Sequence, residues 1–171
     1  MIVGLSGKQR SGKDTYADHL IKQNKAIKVS FATPLKQIAL MFGMTKDMPK
    51  GRQFLQELGA FGRKNMYQKF WADKGYEEAK RMESLHPDKV IFLTDVRYTW
   101  EADLLKKNGH LLYRIEAKKD QRILRGDVTS EYHISEVDLD DYPHFRGVFF
   151  NNGTLEEFTF QVDNWYNTIQ W

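Results

Sequence analysis

The sequence predicts an α/β fold built on a parallel sheet, and three observations carry that prediction. An apolar run, Ile2-Val3-Gly4-Leu5, leads through the glycine-bounded stretch Gly7-Lys8-Gln9-Arg10-Ser11-Gly12-Lys13-Asp14-Thr15 into a helical pattern with Ala17, Leu20 and Ile21 on one face. A second run, Val90-Ile91-Phe92-Leu93-Thr94, is continuously apolar, as in a strand buried on both faces. Between and after these runs, strand-like and helix-like segments follow one another with turn residues at their joints.

Strand, glycine loop and helix form the context of a phosphate-binding P-loop. Gly7 and Gly12 allow backbone angles that a Cβ disfavours. The loop amides can then point inward at a helix N-terminus, where the dipole also favours an anion. Lys13 is expected to reach the β- and γ-phosphates. Ser or Thr normally follows this lysine and holds Mg²⁺, but here the residue is Asp14, with Thr15 next. A carboxylate can bind Mg²⁺ directly or through water, at the cost of negative charge beside the phosphates. Thr15 can donate to a phosphate oxygen.

The first helix is expected to end near Asn24, and Ala26–Phe31 to form a short strand. Thr33-Pro34 reads as N-cap and first helical residue, with Leu35, Ile38, Ala39 and Phe42 at helical spacing and Gly43 as terminator. Residues 44–51 are a polar loop with Pro49. A helix from Arg52 carries Leu55 and Leu58 as expected core and is expected to be interrupted at Gly59 and Gly62, with Arg63 just beyond. Arg52, Gln56 and Gly59 have no explanation as core. A further helix is expected from Asn65 to Glu83, packing through Phe70 and Ala79, with Trp71 serving either the core or a pocket wall.

The buried strand ends in Asp95-Val96-Arg97. Ligands of open parallel sheets bind at the carboxyl ends of the strands. Asp95 is thus a candidate to hold Mg²⁺ or its waters, and Arg97 to reach a phosphate; a surface ion pair is the structural alternative. Trp100–Asn108 reads as an amphipathic helix closed by Gly109, with Glu101 spaced to orient Arg97. His110–Ile115 is the next strand. Residues 117–145 are mostly polar, with Arg122 and Arg125 spaced to share one helical face. Inserted between core strands, this segment suits a lid closing over phosphates. His133 alone reads as structural. Gly147–Phe150 is the last strand, Asn151–Thr154 a turn, and Thr154 with Glu157 a capping box for a terminal helix carrying Phe158, Val162 and Trp165.

The 171 residues fit one domain. The chain has no cysteine, which excludes a disulfide framework and thiolate metal sites. No apolar run reaches membrane-spanning length, and Met1-Ile2-Val3 begins a core strand, so a cytoplasmic protein is expected. A net charge of +3 suits small phosphate esters and gives no argument for nucleic-acid binding.

The Gly-Lys-Asp-Thr loop ending at Thr15, Arg52 to Arg63 with Leu55-Gln56 and Gly59, Thr94-Asp95-Val96-Arg97, His133-x-Ser135-Glu136 and Asn152-Gly153-Thr154-Leu155-Glu156 occur in that order. As a set they resemble the deoxynucleoside monophosphate kinases of tailed bacteriophages, over nearly the whole chain. The resemblance implies a nucleoside monophosphate kinase-like P-loop NTPase: a parallel five-stranded sheet, order 2-3-1-4-5, flanked by helices. It implies a single kinase domain over residues 1–171, with a monophosphate-binding helical region at 33–84 and a lid at 117–145. ATP and Mg²⁺ are implied, with a deoxynucleoside monophosphate as acceptor and no nucleic acid or membrane partner. A homodimer is left open, and a phage-encoded protein would act in the host cytoplasm. By position, Gly7, Arg10, Ser11, Gly12, Lys13, Asp14 and Thr15 match the ATP phosphate site, and Asn152 and Gly153 the turn beside adenine. Arg52, Gln56, Arg63, Trp71 and Arg97 match the acceptor side. Lys13, Asp95, Arg97, Arg122 and Arg125 match the catalytic set, with Asp14 and Asp95 toward the metal. Alternatives are a kinase of phosphomevalonate, whose family has a similar loop and strand-end Asp-x-Arg, a kinase of a coenzyme precursor, a non-catalytic ATP-binding module, and a polynucleotide end kinase.

Overall fold

The computed structural model of the chain describes residues 1–128 and 131–169. The elements in chain order are β1 Ile2–Ser6, α1 Lys13–Lys22, β2 Ala26–Val29, α2 Thr33–Met41, α3 Gly51–Asn65, α4 Phe70–Leu85 and β3 Val90–Val96. There follow α5 Thr99–Lys107, β4 Leu111–Glu116, α6 Lys119–Leu124, α7 Ile134–Val137, β5 Gly147–Phe150 and α8 Leu155–Thr168.

All neighbouring strands pair in parallel, in the order β2-β3-β1-β4-β5, as the resemblance implies. Side chains alternate across the sheet and divide the core in two. Ile2, Ile91 and Leu93 face α4 and α5 together with Tyr76, Ala79, Ala102 and Leu105. Val3, Leu5, Val90 and Phe92 face α1 and α8, against Tyr16, Leu20, Phe158, Val162 and Trp165. Burying side chains of this size contributes about 1.5–3 kcal/mol each. The apolar runs therefore serve both faces of one sheet.

One irregularity matters for the site. Ile2, Val3 and Gly4 pair with Ile91, Phe92 and Leu93, but Ser6 pairs with Val96. β3 thus carries one extra residue between Leu93 and Val96, a bulge at Thr94-Asp95. Bulges bend a strand locally and re-aim its side chains.

Several expectations need correction. Thr33 does not cap α2; it begins the helix after Ala32, and its Oγ1 accepts the Ser30 amide at 2.8 Å. Gly43 ends α2 as expected, at φ 67°, with its amide donating to Leu40 O and that of Met44 to Ala39 O. α3 is unbroken through Gly59 and Gly62. Gly62 serves a neighbour rather than a break: a Cβ on it would lie 2.5 Å from Trp71 Nε1, the nitrogen that donates to the backbone oxygen of Gly59 at 3.0 Å. Leu55 and Leu58 are only partly buried, because α3 packs on α2 and α4 outside the sheet. α4 starts at Phe70, later than periodicity predicts, since residues 66–69 turn the chain between α3 and α4.

Candidate active site

The loop after β1 folds as its glycines require. Gly7 has φ 139° and Gly12 φ 109°, and a Cβ on either would strike a neighbour, Ile115 O at 2.2 Å or Asn151 Nδ2 at 2.3 Å. Arg10 also takes a positive φ, 65°. Lys13 opens α1 and is buried, its ammonium donating to Gly7 O and to Lys8 O, the latter at 2.9 Å. Burial, and then the nearby Arg97 cation, push its pKa down to about 8. The ammonium is held in a cationic, partly desolvated place, which an incoming phosphate would relieve.

Two cavities of about 700 Å³ each open at the carboxyl end of the sheet. The first surrounds the loop: Arg10, Gly12, Lys13, Asp14 and Thr15 line it, with Lys36, Arg125, Gly153 and Leu155. The second is walled by Phe31, Leu35, Trp71, Tyr98 and Trp100, with Arg63 and His133 at its edge. The Tyr98 and Trp100 rings stack at 5.3 Å. Asp95 and Arg97 line both cavities. The β3 bulge stands at this shared wall.

Asp95 accepts the Phe31 amide at 2.8 Å. Burial raises its pKa, opposed by that hydrogen bond and by the Lys36 cation. Glu101 is buried in the second cavity's wall and is pushed up to about 8 by burial, opposed by the Arg97 and Tyr98 amides it accepts. Glu101 therefore fixes the backbone on which Arg97 stands. The Arg97 guanidinium pairs with Glu136 of α7, and the other Glu136 oxygen accepts the Gln9 amide at 2.6 Å.

The 117–145 segment is not uniform. Arg114 donates to Leu139 O and pairs with Asp140, Asp138 accepts the Thr99 amide, and Leu139 is in the core. Residues 138–140 are thus fastened to the body of the domain. Arg122 and Arg125 leave α6 toward different places. Arg125 Nη2 donates to Asn151 O at 2.7 Å and lines the loop cavity. Arg122 pairs with Glu131 at 2.6 Å and does not line that cavity; with Asn152 it borders a smaller space of about 520 Å³ behind the loop.

Of the residues predicted from sequence, Arg10, Gly12, Lys13, Asp14, Thr15, Asp95, Arg97, Arg125 and Gly153 come together around the loop cavity. Gly7 shapes the loop from below, and Ser11 is buried, its Oγ without a hydrogen-bond partner among the described residues. Arg63, Trp71 and Arg97 meet at the second cavity. Gln56 is exposed and lines neither. Arg52 lies in the first turn of α3, with its side chain outside the described residues. Sequence reasoning missed Asn151, which is buried and braces the loop by donating to Ser11 O at 2.9 Å. It also missed Lys36, one turn into α2, and Glu136 as a site group; the only signal for Glu136 was its place in His133-x-Ser135-Glu136.

No cluster of three His, Cys, Asp or Glu side chains suited to a metal occurs among the described residues. Mg²⁺ beside a nucleotide typically uses one or two carboxylates plus phosphate oxygens and waters, so the donor set required of the protein is small. Asp14 and Asp95 border one cavity with Lys13 and fit that requirement. Asp14 is exposed and paired with Lys28 at 3.2 Å, so it is free to re-aim at small cost.

No protein-family model matches the chain. The chain is 30% identical over 190 residues to a protein of Acanthamoeba polyphaga mimivirus provisionally named deoxynucleotide monophosphate kinase, covering 95% of this chain and 94% of that one. It is 32% identical over 158 residues to the uncharacterized ORF76 protein of Ictalurid herpesvirus 1, covering 92% of this chain and spanning 63% of that protein's length. Among solved structures, TT1252 from Thermus thermophilus matches with a TM-score of 0.59 at 15% identity, over 100% of this chain and 98% of that one. Shikimate kinase from Aquifex aeolicus matches with 0.57 at 14% identity, over 98% and 96%. These two likenesses establish the fold. No helix among the described residues is long and apolar enough to cross a membrane.

Proposed function

We propose, from the premise that the chain belongs to the deoxynucleotide monophosphate kinase family, that it transfers the γ-phosphoryl group of ATP to a deoxynucleoside 5′-monophosphate. The observation that carries this reading is the shared wall: Asp95 and Arg97 border both the loop cavity and the aromatic cavity. A phosphoryl group passing from one to the other crosses that wall. The aromatic cavity supports a nucleotide over phosphomevalonate, because its lining includes Trp71, Tyr98 and Trp100, aromatic groups that suit a base and that an isoprenoid chain does not need.

An acceptor phosphate oxygen forms a bond to the γ-phosphorus while the bond from that phosphorus to the β–γ bridging oxygen breaks, giving ADP and the diphosphate. The acceptor oxygen is already anionic, so no general base is required. Positioning and charge neutralisation do most of the chemistry. Loop amides and Lys13 hold the donor phosphates, Arg97 neutralises the transferred group, and Arg63 is the candidate to grip the acceptor phosphate. Asp14 and Asp95 would be the residues to hold Mg²⁺, whose chemistry there would be to offset negative charge on the phosphate oxygens. Arg125 serves the donor side, where it borders the loop cavity. A lid closing over the phosphates would be drawn from residues 117–128 and 131–137, which is supported by the fastening of 138–140 to the domain. The likeness to phage-encoded members rests on the sequence motifs.

The test is ADP release from ATP with each deoxynucleoside monophosphate, phosphomevalonate or a DNA 5′-hydroxyl end as acceptor. Strong stimulation by at least one deoxynucleoside monophosphate is expected. Stimulation by phosphomevalonate or a DNA end alone, or by no acceptor, would overturn the assignment.

A further inference from the structure

The Glu136 carboxylate bridges two groups from separate parts of the chain: the Gln9 amide of the loop after β1 and the guanidinium of Arg97 at the end of β3. Its side chain is only 7% exposed. The Lys13 ammonium is near enough to feel its charge. A loop amide, a guanidinium and a nearby ammonium are the donors that hold a phosphoryl group in sites of this kind. Glu136 arrives from α7, a single turn of residues 134–137 whose Ile134 is exposed, just before the stretch that Arg114 and Thr99 fasten down. A phosphoryl group carries more charge than a carboxylate and has more acceptor oxygens.

We propose that Glu136 is a resident phosphate surrogate, neutralising the phosphate-binding groups of the ligand-free protein and displaced when a substrate phosphoryl group arrives, with α7 as the part that moves. The inference rests on the reading of the loop and Arg97 as phosphate ligands. It gives Glu136 a signed role: it stabilises the empty site and competes with the filled one. A residue that merely braces the lid would help both states.

The test is binding of inorganic tripolyphosphate by calorimetry to the wild-type protein, Glu136→Gln and Glu136→Asp, with the melting temperature of each measured ligand-free and at saturation. Removing a competing charge-assisted contact is expected to tighten binding by about tenfold in Glu136→Gln while lowering the ligand-free melting temperature. Glu136→Asp keeps the charge but is one methylene too short to bridge both partners, and is expected in between. Equal or weaker tripolyphosphate binding in folded Glu136→Gln, or in folded Glu136→Asp if the Gln variant does not fold, would overturn the surrogate role. Absence of binding to all three proteins would instead remove the phosphate-site reading on which it depends.

Discussion

Gly62→Ala separates two explanations of a helical glycine by the sign of its effect. Helix propensity alone predicts stabilisation, since Ala is favoured over Gly by about 1 kcal/mol in a helix interior. The structure predicts the opposite. The new Cβ would lie 2.5 Å from Trp71 Nε1, 2.7 Å from Cε2 and 2.8 Å from Cζ2, all atoms of a buried, rigid indole that would have to shift. Overpacking of this kind costs about 1–3 kcal/mol. Displacing the indole also strains its 3.0 Å hydrogen bond to Gly59 O, and an unmet buried donor costs about 1–3 kcal/mol more. The net expectation is a loss of about 3 kcal/mol, or a fall in melting temperature of roughly 8 °C for a chain of this length. Gly59→Ala is the control. Its nearest neighbours would be a Leu35 methyl at 3.3 Å and the flexible end of Arg63 from 3.4 Å, so a change within about 1 kcal/mol of wild type is expected. Calorimetric melting of both variants decides. A Gly62→Ala protein that melts higher than wild type would refute the view that Gly62 is reserved for Trp71.

Lys13→Ala is expected to lose roughly a hundred-fold in turnover, by analogy with removing one preorganised donor; near-normal steady-state turnover in the folded variant would end the P-loop reading. The Lys13 pKa near 8 gives a pH dependence with a defined sign: the ammonium is lost as pH rises through that value, so ATP affinity should fall above pH 8, by up to tenfold per pH unit. Titration calorimetry from pH 7 to 9.5 checks this, and a flat profile would refute it. Asp95→Asn should lower turnover with little loss of stability, because burial already disfavours the ionised carboxylate and an amide oxygen can still accept from Phe31. Its defect should vary with Mg²⁺ concentration; rates unaffected at low and high Mg²⁺ alike would make Asp95 a strand-end charge only. Arg63→Lys should raise the Michaelis constant for the monophosphate by roughly tenfold and leave that for ATP unchanged. No change in either constant would leave Arg97 as the acceptor's cation.

The sheet and the loop were legible because their signals are local. Ile2–Leu5 and Val90–Leu93 are apolar on both faces whatever surrounds them, and Gly7 and Gly12 stand where positive φ is needed. The run of α3 through Gly59 and Gly62 was not legible, since a glycine in a helical pattern reads the same as a break or as room for a neighbour; the neighbour is Trp71, nine residues beyond Gly62 and in another helix. Asn151 reads as a turn residue because its partner Ser11 lies 140 positions away. Arg122 and Arg125 share a helical face by spacing, yet Glu131 captures one while Asn151 receives the other. Pairings of this kind depend on how loops close over the sheet, and periodicity carries no trace of that.

The extra residue in β3 has a consequence for how this strand can change over generations. Up to Leu93, sliding β3 by one position would exchange the side chains packed against α4 and α5 with those packed against α1 and α8, so an insertion or deletion there would disturb both halves of the core. At Thr94-Asp95 the offset has already been taken, and a single-residue deletion would restore an even count against β1 while swapping which side chain meets the ligands. Relatives that gained or lost one residue at this point would keep the same barrelless sheet and the same loop, yet present a different functional group at the strand end.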